Sequence, residues 1–350
     1  MSKEKKVTQE IKFPGRGLDI GTMWLATAKK ENDGNLKLSK IRDAFLDLEL
    51  DKTIKQMLRL SNANYIEKDD LIILVGDIAI DYANIFNREV RRPLSQGVIA
   101  AGEVDAQEIL TIILKELLGE PRVPDEIVHF SVPAEPIDTN QKIIYHEAVF
   151  SKIVGSLGYK AVAMNEAAAV AYSNAHGSNF SAVTISFGAG MCNICVMYQA
   201  IGGLEFSIAR GGDWIDQQSA AAVGTTASRI ATIKETGIDL RDASVGDSKF
   251  YREREAIIFH YKALIKYALD NILKQFKNRS KDFNIPIEIP LIVAGGTSLA
   301  KGFLDLFRET FNEYKNFPIK ISEIRHADDP LFAVSEGLLV ASLNYEEEED

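Results

Sequence analysis

Two glycine turns, one near the amino terminus and one in the middle of the chain, carry the residues best suited to chemistry. The first follows an apolar run and reads Asp19-Ile20-Gly21-Thr22. The second, Gly188-Ala189-Gly190, interrupts the apolar run of residues 183–195. Glycine lets backbone amides approach an anion closely, so either turn can hold a phosphate group. One such turn alone is more often an ordinary hairpin, whereas two of them raise the question of a nucleotide cleft between them.

A nucleoside triphosphate site also needs a carboxylate for hydrated Mg²⁺, a group that orients water and a pocket for the base. Asp19 can hold the water shell of the metal, and Thr22 adds a hydroxyl. Glu166 lies where a predicted strand passes into a predicted helix, a usual place for a catalytic carboxylate. The run Gly295-Gly296-Thr297 follows a predicted buried strand and offers bare backbone to a flat base or ribose. Taken singly, each of these residues could equally serve a turn or a helix cap.

Strands alternate with helices along much of the chain, which predicts βαβ units and a covered sheet. Each half begins with a hairpin that contains a glycine turn and then continues into helices and strands, a weak duplication of architecture. Apolar residues at helical spacing predict the longest helix at residues 251–276. Two similar lobes that face each other would place the two glycine turns on either side of one cleft.

Composition limits the classes of function. A chain of 350 residues favours two domains or one bilobed unit, and its net charge of -10 argues against broad binding of nucleic acid or anionic membranes. The first residues lack the apolar core of a signal peptide and no apolar run is long enough to span a bilayer, so we expect a cytoplasmic protein without direct membrane insertion. Cys192 and Cys195 should point to opposite faces of a strand, which favours core residues over a redox or metal pair.

Five segments resemble the actin-like ATPase superfamily, which includes actin, the ATPase domain of heat-shock chaperones and the bacterial actins. The segments are Leu18-Asp19-Ile20-Gly21-Thr22, Ser131-Val132-Pro133-Ala134, residues 165–172, residues 185–193 and residues 293–298. Together they extend from residue 16 to about residue 300. The resemblance implies an α/β, bilobed fold of two ribonuclease-H-like domains with a nucleotide cleft between them.

Three further stretches are similar to particular branches of that superfamily. Residues 92–99 and 329–334 are similar to segments of the bacterial actins MreB and MamK, and residues 211–216 fit a turn of MreB and the chaperones. The resemblance implies ATP or ADP with Mg²⁺ as cofactor, with Asp19 as the metal-linked carboxylate and Glu166 as the residue that positions water. The implied nucleotide contacts are Gly21, Thr22, Met23, Gly188, Ala189, Gly190, Gly212, Asp213, Lys234, Glu235, Gly295, Gly296 and Thr297.

The same resemblance divides the chain into lobes. Residues 1–15 would be an extension, and residues 16–173 the first lobe, with a small β-rich subdomain at about 35–98. Residues 174–343 would be the second lobe, with a helical subdomain at about 212–288, and residues 344–350 an acidic tail.

The second glycine turn departs from the family pattern, which begins with an aspartate, has a loop hydroxyl and closes with an acid. Here these positions hold Ser186, Met191 and Asn193, and in the first turn Met23 replaces a small or hydroxyl residue. Loss of a carboxylate beside a dication predicts weaker metal binding and slower hydrolysis, whereas phosphate binding by the backbone would survive. On this view Ser186→Asp should speed turnover.

The sequence therefore predicts a prokaryotic actin-like protein that binds ATP and assembles with itself into cytoskeletal filaments, with weak hydrolysis. The alternative is a non-polymerising adaptor of the same fold, like the pilus-assembly protein PilM, which uses nucleotide structurally and binds another protein. A sugar or acetate kinase fits less well, because no substrate-phosphorylating acid stands out and the chain is short.

Overall fold

The computed structural model describes residues 12–345, except residues 62, 64, 87, 101, 104 and 280–284. Most of the predicted extension 1–15 and of the predicted acidic tail 344–350 lies outside the described residues. The predicted boundaries of the lobes and subdomains stay predictions.

The elements are numbered in chain order. The first half contains β1 (Arg16–Ile20), β2 (Trp24–Lys30), β3 (Leu36–Arg42), β4 (Phe45–Glu49), α1 (Lys52–Leu60), β5 (Ile66–Lys68), β6 (Leu71–Val75), α2 (Asp77–Phe86), β7 (Leu94–Ser95), β8 (Val98–Ile99), α3 (Ala106–Leu118), β9 (Ile127–Val132), α4 (Ile143–Ser156), β10 (Lys160–Asn165) and α5 (Glu166–Asn174). The second half contains β11 (Ala182–Phe187), β12 (Cys192–Tyr198), β13 (Ile201–Ile208), α6 (Gly212–Val223), α7 (Ala227–Glu235), α8 (Tyr251–Arg279), β14 (Ile289–Ala294), α9 (Phe303–Phe311), β15 (Ile321–His326) and α10 (Ala333–Leu343).

Two five-stranded sheets repeat one plan. The first has the order β10-β9-β1-β2-β3 and the second the order β13-β12-β11-β14-β15. In each sheet the first three strands form an antiparallel meander, one later strand pairs in parallel with the first, and another pairs in parallel with that later strand. The predicted duplication of architecture is therefore present, and the α/β bilobed fold is confirmed.

Helices cover the sheets and also join the two halves. The first sheet packs on α3 and α4 around one apolar core, and the second packs on the helices α6–α9 around another. A third core lies between the halves, where α5 and α10 cross and pack on both sheets. Because α5 leads out of β10 and α10 packs back on β1, these two helices hold the halves against each other.

A smaller layer is inserted between β3 and α3. Strands β4, β6 and β5 form a three-stranded sheet with its own core under α1 and α2. The N-cap of α1 is Asp51, whose carboxylate accepts from the amides of Thr53 and Ile54. The short hairpin β7–β8 then returns the chain to the first sheet.

The longest helix, α8, lies where apolar spacing predicted it. Its buried stripe consists of Ile257, Tyr261, Leu264, Ile265, Ala268, Leu269 and Ile272. Within the described part of the chain, we find no helix that combines the length and the apolar character needed to cross a membrane.

The two cysteines are free, buried thiols of β12. Cys192 packs in the core of the second sheet, and Cys195 packs on the opposite face with α5 and α10. Burial raises the pKa of both thiols well above the usual value. Their placement agrees with the prediction of core residues on opposite faces of a strand.

Candidate functional site

A cavity of about 370 Å³ is lined by residues of both halves of the chain. Every residue that the sequence predicted for the nucleotide or the metal lies in its wall. These residues are Asp19, Gly21, Thr22, Met23, Glu166, Gly188, Ala189, Gly190, Gly212, Asp213, Lys234, Glu235, Gly295, Gly296 and Thr297. The fold thus gathers segments from distant parts of the sequence around one space.

The first glycine turn joins β1 to β2. The amide of Gly21 donates to the carbonyl oxygen of Trp24 at 3.1 Å, and a Cβ on Gly21 would lie 2.6 Å from that same oxygen. Only glycine allows so close an approach. The hydroxyl of Thr22 is buried and accepts a hydrogen bond from the amide of Gly97 at 3.0 Å. A segment outside the predicted site therefore braces this turn.

The second glycine turn joins β11 to β12 and is fixed by its carbonyl groups. The carbonyl of Gly188 accepts from the amide of Gly212 at 3.0 Å, and the carbonyl of Ala189 accepts from the amide of Asp213 at 2.9 Å. In a trans peptide the N–H points opposite to the C=O. The amides of Ala189 and Gly190 consequently point away from the first turn of α6, and they remain as donors for an anion in the cavity.

Asp19 lies on β1 and is held by a serine of the neighbouring strand β9. The hydroxyl of Ser131 accepts from the amide of Ile20 at 2.7 Å and donates to Oδ1 of Asp19 at 2.9 Å. Because the hydroxyl proton can serve only one acceptor, this relay fixes the direction of the serine and, through it, the carboxylate.

Glu166 is the first residue of α5. The N-cap Asn165 accepts from the amide of Ala168 at 2.9 Å, which sets the start of the helix and directs Glu166 into the cavity wall. The hydroxyl of Ser186 donates to Oε1 of Glu166 at 2.6 Å, and Nδ2 of Asn193 donates to Oε2 at 2.7 Å. Both carboxylate oxygens are therefore engaged by the second glycine hairpin.

The two carboxylates form a half-buried, mutually repelling pair. Burial raises the pKa of Asp19, and the hydrogen bond from Ser131 acts in the opposite direction. Burial and the charge of Asp19 raise the pKa of Glu166, against the hydrogen bond from Ser186. Among the described residues, neither carboxylate has an ion-pair partner, and no cluster of three or more His, Cys, Asp or Glu side chains could hold a metal. Two carboxylates fit a cation such as Mg²⁺, which keeps several of its waters.

The other end of the cavity is formed by α7 and the loop after β14. Nζ of Lys234 donates to Asp216 at 2.7 Å and to the carbonyl of Gly212 at 3.1 Å, so this lysine is tied to α6. Gly295 has a positive φ of 88° and passes so close to Phe187 that a Cβ would lie 2.4 Å from its carbonyl oxygen. A bare backbone surface results, suited to a flat ring.

A hairpin that the sequence did not place in the site packs beside both glycine turns, and its Gly97 lines the cavity. This crossing hairpin consists of residues 92–99 and contains β7 and β8. Besides its bond to Thr22, Gly97 packs on Gly190, where a Cβ would lie 2.5 Å from the amide nitrogen of Gly97. At the base of the hairpin, Arg92 pairs with Asp213 of α6 at 3.1 Å. The Ser-Gln-Gly turn was visible in the sequence, but nothing local showed where it docks.

A second unpredicted feature is an aromatic and basic wall. The ring of Trp24 lies 4.1 Å from Nζ of Lys40 and 4.3 Å from the guanidinium carbon of Arg42. All three residues line the cavity. Cations over an aromatic face are stabilised by its quadrupole, so these charges stay in place beside the first glycine turn.

Comparison with known proteins gives one family and many similar structures. The family model described as Volactin matches residues 15–342. A search of curated protein sequences finds no match. A structure titled as a MamK double helical filament is 16% identical, with a TM-score of 0.70, over 95% of this chain and 99% of that chain.

Two other solved structures share the fold at similar identity. MreB 5 of Spiroplasma citri, bound to AMPPNP, is 15% identical with a TM-score of 0.63, over 95% of this chain and 96% of that chain. The ethanolamine utilization protein EutJ from Carboxydothermus hydrogenoformans is 16% identical with a TM-score of 0.53, over 95% and 93%. These likenesses confirm the predicted actin-like fold.

Proposed function

This chain belongs to the Volactin family, and we propose that it is a cytoplasmic actin-like protein that binds ATP or ADP with Mg²⁺ and assembles with itself into filaments. The observation that carries the proposal is the convergence of all fifteen sequence-predicted site residues on one cavity. A similar structure is bound to AMPPNP and another is a double helical filament, which supports nucleotide binding and self-association.

The two glycine turns would bind the phosphates. The amides of Ala189 and Gly190 point away from α6, and the Thr22 turn lies directly beside Gly190 in the same cavity wall. Gly295 and Gly296 would bind the base and ribose through backbone, with Lys234 and Glu235 at the edge. Fixed amide donors on rigid strand ends need little reorganisation when an anion binds.

The carboxylates would serve the metal and the water. Asp19 would hold the water shell of Mg²⁺, and that cation would supply charge neutralisation for the phosphates. Glu166 would orient the attacking water. Because Ser186 stands where the family pattern has an acid, the metal loses one anionic contact, and we expect slow hydrolysis.

Assembly is tested first. Purified protein is followed by light scattering and negative-stain microscopy with Mg-ATP, with Mg-ADP and with no nucleotide. We expect filaments that require nucleotide. If the protein stays monomeric at high concentration across nucleotides and salts, filament formation is wrong and the adaptor alternative gains, in which nucleotide is structural.

Binding and hydrolysis are tested separately. Titration of a fluorescent ATP analogue measures affinity, and phosphate release measures turnover in wild type and in Glu166→Ala. The variant should bind nucleotide but release phosphate at least about a hundredfold more slowly, in the range of a lost general base. Equal turnover in both proteins would remove Glu166 from this role.

A further inference from the structure

Two of the three residues of the second hairpin that depart from the family pattern meet at a single side chain. Ser186 and Asn193 face each other as a pair across β11 and β12, and each is 1% exposed. Both donate to Glu166, one to each carboxylate oxygen. The sequence did not predict these contacts with Glu166.

The orientation of the Asn193 amide is fixed by its other neighbours. Its Oδ1 faces the backbone amide of Ala134 and accepts from it at 3.3 Å. A backbone N–H can only donate, so the atom facing it must be the oxygen. Nδ2 is therefore the atom that faces Glu166, and it can only donate.

The hydroxyl of Ser186 is likewise committed as a donor, because Glu166 offers only acceptors while it is ionised. An acid at either position would place a second negative charge within 3 Å of the carboxylate, where like charges disfavour ionisation. Two neutral hydrogen-bond donors instead favour the ionised form of Glu166. Each carboxylate oxygen keeps a further lone pair, with which it can accept from a water.

We infer that Ser186 and Asn193 are positioning residues for Glu166, and that they hold its carboxylate as an acceptor directed at the cavity. The inference rests on the proposed function, in which Glu166 orients the attacking water. Ser186 and Asn193, whose lack of a carboxylate is expected to weaken the metal site, thus also hold Glu166 in one place.

The test compares Ser186→Ala with Thr184→Val. Thr184 is a buried hydroxyl residue two positions earlier on the same strand, and it donates to the carbonyl of Ala167 at 2.7 Å rather than to Glu166. Hydrogen bonds to charged groups contribute enough to change a rate about tenfold to hundredfold. We expect kcat for ATP hydrolysis to fall by that factor in Ser186→Ala, with KM and nucleotide Kd within about twofold of wild type. Thr184→Val should keep all three values.

A double variant separates positioning from general damage. In the Glu166→Ala background, Ser186→Ala should change turnover no further, because the group that it positions is gone. A further loss of the same size in that background overturns the inference. Ser186→Cys has nearly the same size and a weaker donor, so it should give an intermediate kcat even if the alanine variant folds poorly.

The outcomes also distinguish the inference from the function on which it rests. Absence of nucleotide binding, or turnover that does not depend on Glu166, contradicts the proposed function. Glu166-dependent turnover with equal kcat in Ser186→Ala and Thr184→Val contradicts only the inference. If hydrolysis is too slow to compare, a crystal structure of Ser186→Ala decides: we expect Glu166 to leave its single position, and an unmoved carboxylate overturns the inference.

Discussion

Gly337, at the crossing of α5 and α10, offers the sharpest test of how the two halves are held together. A Cβ on Gly337 would lie 1.7 Å from the carbonyl oxygen and 2.5 Å from the carbonyl carbon of Ala169. Both are backbone atoms of α5, so no side chain can rotate away. An ordinary contact begins at 3.4 Å, and Gly337→Ala therefore forces the helices apart by about 1.7 Å.

The magnitude follows from two opposing effects. Alanine in place of glycine inside a helix stabilises the fold by about 0.5–1 kcal/mol. Overpacking of a close contact costs about 1–3 kcal/mol, and a backbone clash this short belongs at the upper end. We expect a net loss of about 2 kcal/mol in the free energy of unfolding.

The matched control is Gly155→Ala in α4, another helical glycine. A Cβ there meets nothing within 4 Å. The variant should gain about 0.5–1 kcal/mol, so the two proteins should differ by about 3 kcal/mol in urea unfolding. Because α5 begins at Glu166, Gly337→Ala should also slow nucleotide hydrolysis. Equal unfolding midpoints and slopes for the two variants would refute the reasoning.

Two further predictions concern the crossing hairpin and acid stability. Gly190→Ala would place a Cβ 2.4 Å from Oγ1 of Thr22 and 2.5 Å from the amide nitrogen of Gly97, so it should displace the hairpin and weaken ATP binding. Titration with nucleotide measures this affinity, and the control is Gly177→Ala, where a Cβ meets nothing within 4 Å. His146 is buried beside Phe150, both its ring nitrogens lack a hydrogen-bond partner within the described residues, and burial lowers its pKa to about 4. The folded state therefore resists protonation, and its contribution to stability is present above pH 6.5 and is lost as the pH falls toward 4, to the extent of about 3 kcal/mol. His146→Leu should flatten this acid loss in urea unfolding, whereas His176→Gln, at an exposed position, should not.

Much of the cavity wall could be predicted because its parts are local. A glycine turn between two apolar runs has the same sequence signature wherever it lies in space, as Gly21 and Gly188 illustrate. Glu166 was recognisable from its place between a strand and a helix. What these signals leave open is the partner of each group, which depends on the register of distant strands.

Ser186 shows that limit. From the sequence it is a missing acid, and Ser186→Asp is expected to speed turnover. In the fold its hydroxyl lies 2.6 Å from Oε1 of Glu166, so an aspartate there also brings repulsion that only a bound cation can offset. The effect of that variant stays a prediction, and the local pattern could not show that it involves two opposing contributions.

Two strands, β15 and β4, were also missed. β15 was not predicted, and its Ile321 and Ile324 are only partly buried, because it is the edge strand of the second sheet. An edge strand is covered less completely, so the two-residue alternation that identifies a strand is weak. β4 was missed because adjacent apolar residues, Phe45 and Leu46, are both buried and obscure the alternation.

The crossing hairpin links the cavity to the small inserted layer. Its Leu94 amide donates to Oδ2 of Asp43, and the amide of Asp43 in turn donates to the carbonyl of Met23 in the first glycine turn. Asp43 is buried, and burial raises the pKa of its carboxyl group well above the usual value. The ionised form of Asp43 is therefore disfavoured at this junction. A ligand that displaces either glycine turn would therefore also displace the hairpin. The displacement would include Arg92, which pairs with Asp213. Through these contacts, a displacement of the first glycine turn would be passed to the crossing hairpin and to Asp43 at the edge of the inserted layer.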